Sequence, residues 1–256
     1  MGIQHDYPIL EFDPEKRAVI EPGEQIKPID ISTKAVACFF QDVIRTLVQD
    51  YGAQHRYSLQ SELGSHPVYE IVHQGERIAV FHPGLGAPLA AGILEEVIAL
   101  GVRTCIACGG AGVLDQAIHV GEVIVPYAAI RDEGVSYHYL PPTREVEANP
   151  KVLETIQHVL QQKSIPYLLT KTWTTDAFYR ETPAKIQVRK EEGCRTVEME
   201  AAAFFAVAQF REIAFGQLLY GGDDLGSEEW SSREWTKHAI REHLFWLAVD
   251  VCLALD

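Results

Sequence analysis

From Ala201 to Ala208 the chain reads Ala-Ala-Ala-Phe-Phe-Ala-Val-Ala, without a polar side chain on any face. A helix of that composition has no side for water to wet, so protein must enclose it all round. The fold therefore has to supply layers on more than one side of it. Two carboxylates, Glu198 and Glu200, stand at its entrance on either side of Met199. An ionised carboxylate at the mouth of a buried element is costly unless hydrogen-bond donors meet it, and the positive end of the helix offsets part of that cost. Two uses fit these acids: capping the helix start, or gripping a hydroxyl-rich ligand such as a sugar.

The rest of the chain sets out those layers as a βαβ rhythm. Apolar residues 78–81 read as a strand, His82-Pro83-Gly84-Leu85-Gly86-Ala87-Pro88 as a glycine-rich turn, and the following residues as a helix to about Leu100, ended by Gly101. A strand then spans 104–108, a second loop follows at Gly109-Gly110-Ala111-Gly112, and another strand covers 122–130. This order calls for a mainly parallel sheet with both faces covered and ligands at the carboxyl ends of its strands. Neither loop is a G-x-G-x-x-G or carries a P-loop lysine, so dinucleotide and nucleoside-triphosphate sites are not indicated. Ala18-Val19-Ile20 reads as a short strand closed by the turn Glu21-Pro22-Gly23-Glu24. Residues 33–50 read as a helix burying Val36, Phe39, Phe40, Val43, Ile44 and Leu47. A hairpin is expected around Gln74-Gly75, helices over 150–162 and 183–192, and strands over 168–173, 196–197 and 215–220. The last of these strands ends in Gly221-Gly222-Asp223-Asp224-Leu225, and a terminal helix runs over 230–255 with Trp235, Ala239 and Leu244 on its apolar face.

With 256 residues, 47% hydrophobic and 23% charged, the chain suits a single α/β domain over 1–256. Its net charge of -14 argues against nucleic acid as a partner. Five cysteines, an odd number in mostly apolar surroundings, point to free thiols in a reducing cytosol. Cys105 and Cys108 lack the second ligand pair of a zinc site. No signal peptide or membrane-length apolar run is apparent, so a cytoplasmic protein that does not engage membranes is expected.

Taken in order, Pro22-Gly23-Glu24, Gly84-Leu85-Gly86-Ala87-Pro88, Asp176-Ala177-Phe178-Tyr179, Val197-Glu198-Met199-Glu200-Ala201-Ala202 and Gly222-Asp223-Asp224-Leu225 resemble the motifs of the hexameric-type purine nucleoside and uridine phosphorylases, which are related to methylthioadenosine and S-adenosylhomocysteine nucleosidases. The resemblance implies a three-layer α/β/α phosphorylase-like fold around a mixed, partly barrel-like sheet. It also implies cleavage of a nucleoside N-glycosidic bond by phosphate, releasing the base and ribose or deoxyribose 1-phosphate, with a leaning towards purines. No metal and no organic cofactor are implied; inorganic phosphate is a co-substrate. Asp223 would serve the departing base with help from Arg233, while Phe178 and Val197 would hold the base. Glu198, Met199, Glu200 and His5 would hold the ribose, and Gly23, Lys27, Arg56, Gly109 and Gly110 the phosphate. His5 and Arg56 would act across a subunit boundary, which makes a homo-oligomer the expectation, either a dimer or a hexamer built as a trimer of dimers.

The chain departs from the family pattern at the phosphate loops. It has Lys27 and Ala107 at arginine positions, Gly110 at a hydroxyl position, and His82 where a small hydroxyl residue is common. A nucleosidase using water in place of phosphate is one rival reading, although Lys27 stands where such enzymes place a glutamate and Glu24 is the nearest substitute. A nucleoside-binding or storage protein that has lost catalysis is the other.

Overall fold

The computed structural model describes residues 3–227, 229–234 and 236–255. Along the chain these form α1 (Pro22–Gln25), β1 (Lys34–Cys38), α2 (Gln41–Asp50), β2 (Gln54–Ser61), β3 (Gly64–His73), β4 (Glu76–Phe81), α3 (Ala87–Leu100), β5 (Thr104–Val113), β6 (Val123–Asp132), β7 (Glu145–Glu147), α4 (Pro150–Gln162), β8 (Tyr167–Thr175), α5 (Pro183–Glu191), β9 (Cys194–Glu198), α6 (Ala201–Arg211), β10 (Ala214–Asp224) and α7 (His238–Ala254). The strands run β10-β6-β8-β9-β5-β1-β4-β3-β2, with β7 beside β6, and β10 pairs back onto β5. That last pairing closes β10, β6, β8, β9 and β5 into a barrel whose β5 edge continues as an open sheet. The sheet is mixed: β1 is parallel to β4 and β5, β5 to β10, and β8 to β6 and β9, whereas β10–β6 and β5–β9 are antiparallel.

Alternation along the central strands divides the core into two. Ala35, Ala37, Ala79, Phe81, Cys105 and Ala107 pack with α3 and α6 on one face. Val36, Cys38, Ile78, Val80, Ile106 and Cys108 pack with α2, α4 and α7 on the other. Both faces are apolar because both are covered, giving three layers. As its composition requires, α6 is buried over Ala201 to Ala208. Phe204 and Phe205 meet Phe215 at ring-centroid distances of 5.0 and 6.1 Å, and burial of each phenyl contributes roughly 1.5–3 kcal/mol.

Several local expectations hold. The β3–β4 hairpin turns at Gln74 and Gly75, with φ of 53° and 84°, and α3 is bracketed by Gly86 and Gly101 at φ of 82° and 132°. Asn149 caps α4 by accepting the Lys151 and Val152 N–H groups at 3.0 and 3.4 Å. Others need correction. Residues 18–20 form no strand; Val19 and Ile20 lie exposed in a bend. The helix expected over 33–50 begins only at Gln41, because the first part of that stretch is β1, seated between β4 and β5 and buried by both layers. Gly109 to Gly112 belong to β5, and Gly221 to Asp224 to β10; instead of looping out, the two strands pair here, Gly221 with Ala111 and Asp224 with Val113, with a bulge between. The terminal helix starts at His238, and Trp235 lies outside the described residues.

Candidate active site

The turn from β9 into α6 resolves the two carboxylates into different roles. Glu198 is consumed by the helix start. Its Oε2 accepts the N–H groups of Glu200 and Ala201 at 2.7 and 2.6 Å, and its Oε1 accepts the Thr174 hydroxyl at 2.6 Å. The same hydroxyl accepts the Ala202 N–H at 3.0 Å, so β8 and β9 together cap α6. Three donors thus hold Glu198 in the turn, in the supporting place beside Glu200. Glu200 accepts the Gly86 N–H at 2.6 Å, which ties the glycine turn before α3 to the mouth of α6. Burial raises both carboxyls above the ordinary carboxylate range, and the charge of Glu198 adds to the rise at Glu200. Three donors meet Glu198, whereas the Gly86 N–H meets Glu200. Met199 between them is half-buried.

Asp223 and Val197 converge at Gly112. A Cβ at Gly112 would stand 3.1 Å from Val197 Cγ1 and 3.4 Å from Asp223 Oδ1, and would collide with Leu225. Glycine at this point of β5 lets the ends of β9 and β10 close over it, since Gly112 pairs with Val197 across the sheet. Asp223 Oδ2 accepts the indole N–H of Trp230 at 2.8 Å. Arg233 is not on the carboxylate: its guanidinium donates to the carbonyls of Gly222 and Ile118. The loop after β8 supplies more acids. Asp176 accepts the Gly134 N–H at 2.8 Å and adds its charge to the surroundings of Glu200. Glu181 is half-buried, and its carboxyl is pushed up to about 7 by burial and by the charge of Asp223. Phe178 in the same loop is 49% exposed and packs on Tyr179 at 4.2 Å. Glu181, Trp230 and Thr174 had no motif to announce them. Trp230 sits where the sequence suggested a helix, and the others act through neighbours distant in sequence.

Within one chain the residues suggested for phosphate have other partners. Gly23 lies in the short α1, ahead of β1 and not after a strand, and the exposed Lys27 donates to the Gly23 carbonyl at 3.3 Å. Arg56 on β2 bonds the Asp30 carbonyl and faces the Asp30 and Glu70 carboxylates at 3.6 and 4.0 Å. The side chains nearest Gly109 are Phe39 and Leu219, and Gly110 pairs with Tyr220 in the barrel wall. His82 lies between these elements. Its Nδ1 accepts the Gly84 N–H at 3.0 Å, its ring faces Phe39, and burial lowers its pKa, which favours the neutral ring. His5 is exposed, with its Nδ1 accepting the Tyr7 N–H at 3.2 Å.

A five-strand barrel opening into a sheet between two helical layers, with acids clustered at strand ends, is the architecture of nucleoside phosphorylases and nucleosidases. A uridine phosphorylase from Vibrio fischeri shares it with a TM-score of 0.71 at 23% identity, over 90% of this chain and 94% of that one. So does an AMP nucleosidase from Bacteroides thetaiotaomicron, with a TM-score of 0.69 at 24% identity, over 89% and 90%. Residues 33–244 match the Phosphorylase superfamily, and the chain belongs to it. Among curated relatives, a uridine phosphorylase from Haemophilus influenzae is 32% identical over 105 residues, which is 41% of this chain and 42% of the relative. A DeoD-type purine nucleoside phosphorylase from Streptococcus pyogenes is 28% identical over 142 residues, 55% and 60% of the two chains. The alignments thus span about half the length of these relatives. Gly23, Lys27 and His5 fall ahead of the matched residues.

Proposed function

We propose that the protein is a nucleoside phosphorylase that leans towards purines, transferring the pentose of a nucleoside to phosphate and releasing the base. The observation that carries this reading is the meeting of Val197 and Asp223 over Gly112, only three positions along the chain from Glu200. Three residues span at most about 10 Å, so one ligand can reach both acids. Cleavage makes the sugar cation-like and the base anionic. Glu200, aimed from the Gly86 turn, receives the sugar hydroxyls with Met199 beneath, and Asp223 meets the base, which stacks near Phe178.

A second reading is favoured by the ion pairs of Arg56 with Asp30 and Glu70 and by the bond of Lys27 to Gly23. Without a cation at Gly109, water could replace phosphate as the acceptor. In the first reading a neighbouring subunit of a homo-oligomer brings Arg56 and His5 to the site. Five buried, unpaired cysteines suit an enzyme of a reducing cytoplasm.

Purified protein incubated with inosine, adenosine and uridine, each with and without phosphate, tests this directly. Phosphate-dependent base release with pentose 1-phosphate, faster on the purine nucleosides, is the expected result. Phosphate-independent release would establish the hydrolytic reading, and no release from any substrate would refute both.

A further inference from the structure

If Asp223 serves the leaving base, its carboxylate needs to be aimed, and the arginine suggested by the sequence is occupied with the carbonyls of Gly222 and Ile118. The side chain that does reach it is Trp230, through an indole N–H at 2.8 Å from Oδ2. The backbone fixes Trp230 in place. Asp224 and the adjacent Ser231 exchange two hydrogen bonds, of 2.8 and 3.1 Å. Inside the loop so formed, the Asp224 carboxylate accepts the Gly226 N–H at 2.8 Å and the Ser227 hydroxyl. Gly226 packs against the Leu114 carbonyl too closely for any side chain. The loop is thus stitched at its base and within, and it delivers the indole N–H to Asp223 while 65% of Trp230 remains exposed. Packing does not account for an exposed tryptophan whose one polar atom is spent on a carboxylate.

We infer that Trp230 is the positioning residue of Asp223, holding Oδ2 so that Oδ1, which lies over Gly112 beside Val197, is the oxygen presented to the base. The inference rests on the functional reading given above. As the C1′–N bond breaks, its electron pair passes to the base, a phosphate oxygen forms the new bond to C1′, and a proton drawn from water passes by way of Oδ1 to a base nitrogen. The carboxylate left behind carries a charge that the indole N–H already faces, so Trp230 acts most strongly as that charge appears. Its loss is therefore read in kcat more than in KM.

Substituting Trp230→Phe removes the donor and keeps an aromatic ring on an exposed loop. Turnover of inosine is expected to fall about ten-fold with KM within about two-fold. With 7-methylguanosine the base departs without needing a proton, because its N7 is already methylated and positively charged, and the rate should be unchanged. Equal losses on the two substrates, or a change in KM alone, would overturn the inference. A second measurement does not depend on turnover. In isotope-labelled protein, the indole N–H resonance that is missing from the Trp230→Phe variant should shift in Asp223→Asn. An unmoved resonance shows that the contact is not made and overturns the inference, whatever the enzyme cleaves. A wild-type protein inert on both nucleosides but with a shifted resonance would refute the functional reading while upholding the contact.

Discussion

One methyl group at position 112 would test the whole site. Gly112→Ala places a carbon against Leu225, Val197 and the Asp223 carboxylate. Overpacking of this kind costs about 1–3 kcal/mol, and the displaced carboxylate should cost activity as well. We expect a lower melting temperature together with a loss of purine nucleoside cleavage of about ten-fold or more; an active variant of normal stability would show that the crowding is not felt. Asp223→Asn should slow purine nucleosides by about 10²–10⁴-fold while leaving uridine less affected. Glu200 also leaves a mark on stability. Burial raises its carboxyl above the ordinary value of 4.5, so between pH 4.5 and the raised value the folded protein binds more protons than the unfolded chain. Stability therefore falls as pH rises across that window. Urea unfolding at about pH 5 and about pH 8 should show the decline, and Glu200→Gln should lessen it, the remainder coming from Glu198 and Glu181. That Glu198 and Glu200 flank something important was legible in Val-Glu-Met-Glu-Ala-Ala. Which of them is bound into the helix start was not, because the answer lies in a hydroxyl on β8.

At the scale of elements, α6 depends on its borrowed cap. Thr174→Val removes the hydroxyl that meets both Glu198 and the Ala202 N–H. It should lower stability by about 1–3 kcal/mol, measured by denaturant unfolding. If the two proteins unfold alike, the cap is not holding the helix. Elements whose signals are local were readable in the chain: the hairpin at Gln74-Gly75, α3 between two glycines, α4 from Pro150, and α6 itself. β1 was not, because a short run such as Ala-Val-Ala-Cys fits either period until its neighbours are known. The glycines of β5 and β10 mislead for a related reason. Glycine punctuates loops in most contexts, yet here it permits close approach, as at Gly216, where a Cβ would fall 2.7 Å from Val152 on α4.

Over the whole molecule, barrel closure was the feature least available to sequence reasoning. It rests on β10 pairing with β5, roughly a hundred residues away in the chain, and it reached the sequence reading only through family resemblance. The segment before β1 makes a contrast. His5, Val19 and Ile20 are exposed, so deleting residues 1–12 should leave the melting temperature within a few degrees. If His5 serves a neighbouring subunit's sugar, the same deletion should raise KM at least about ten-fold, and unchanged kinetics would remove that role. Enclosure of α6 carries a mechanical consequence. A rod gripped on all sides can neither slide nor swing without tearing the core it shares with α3 and the sheet, so it behaves as a fixed axle. Variation among relatives should accordingly be borne by the exposed stretches around Phe178 and Trp230 while the axle stays still.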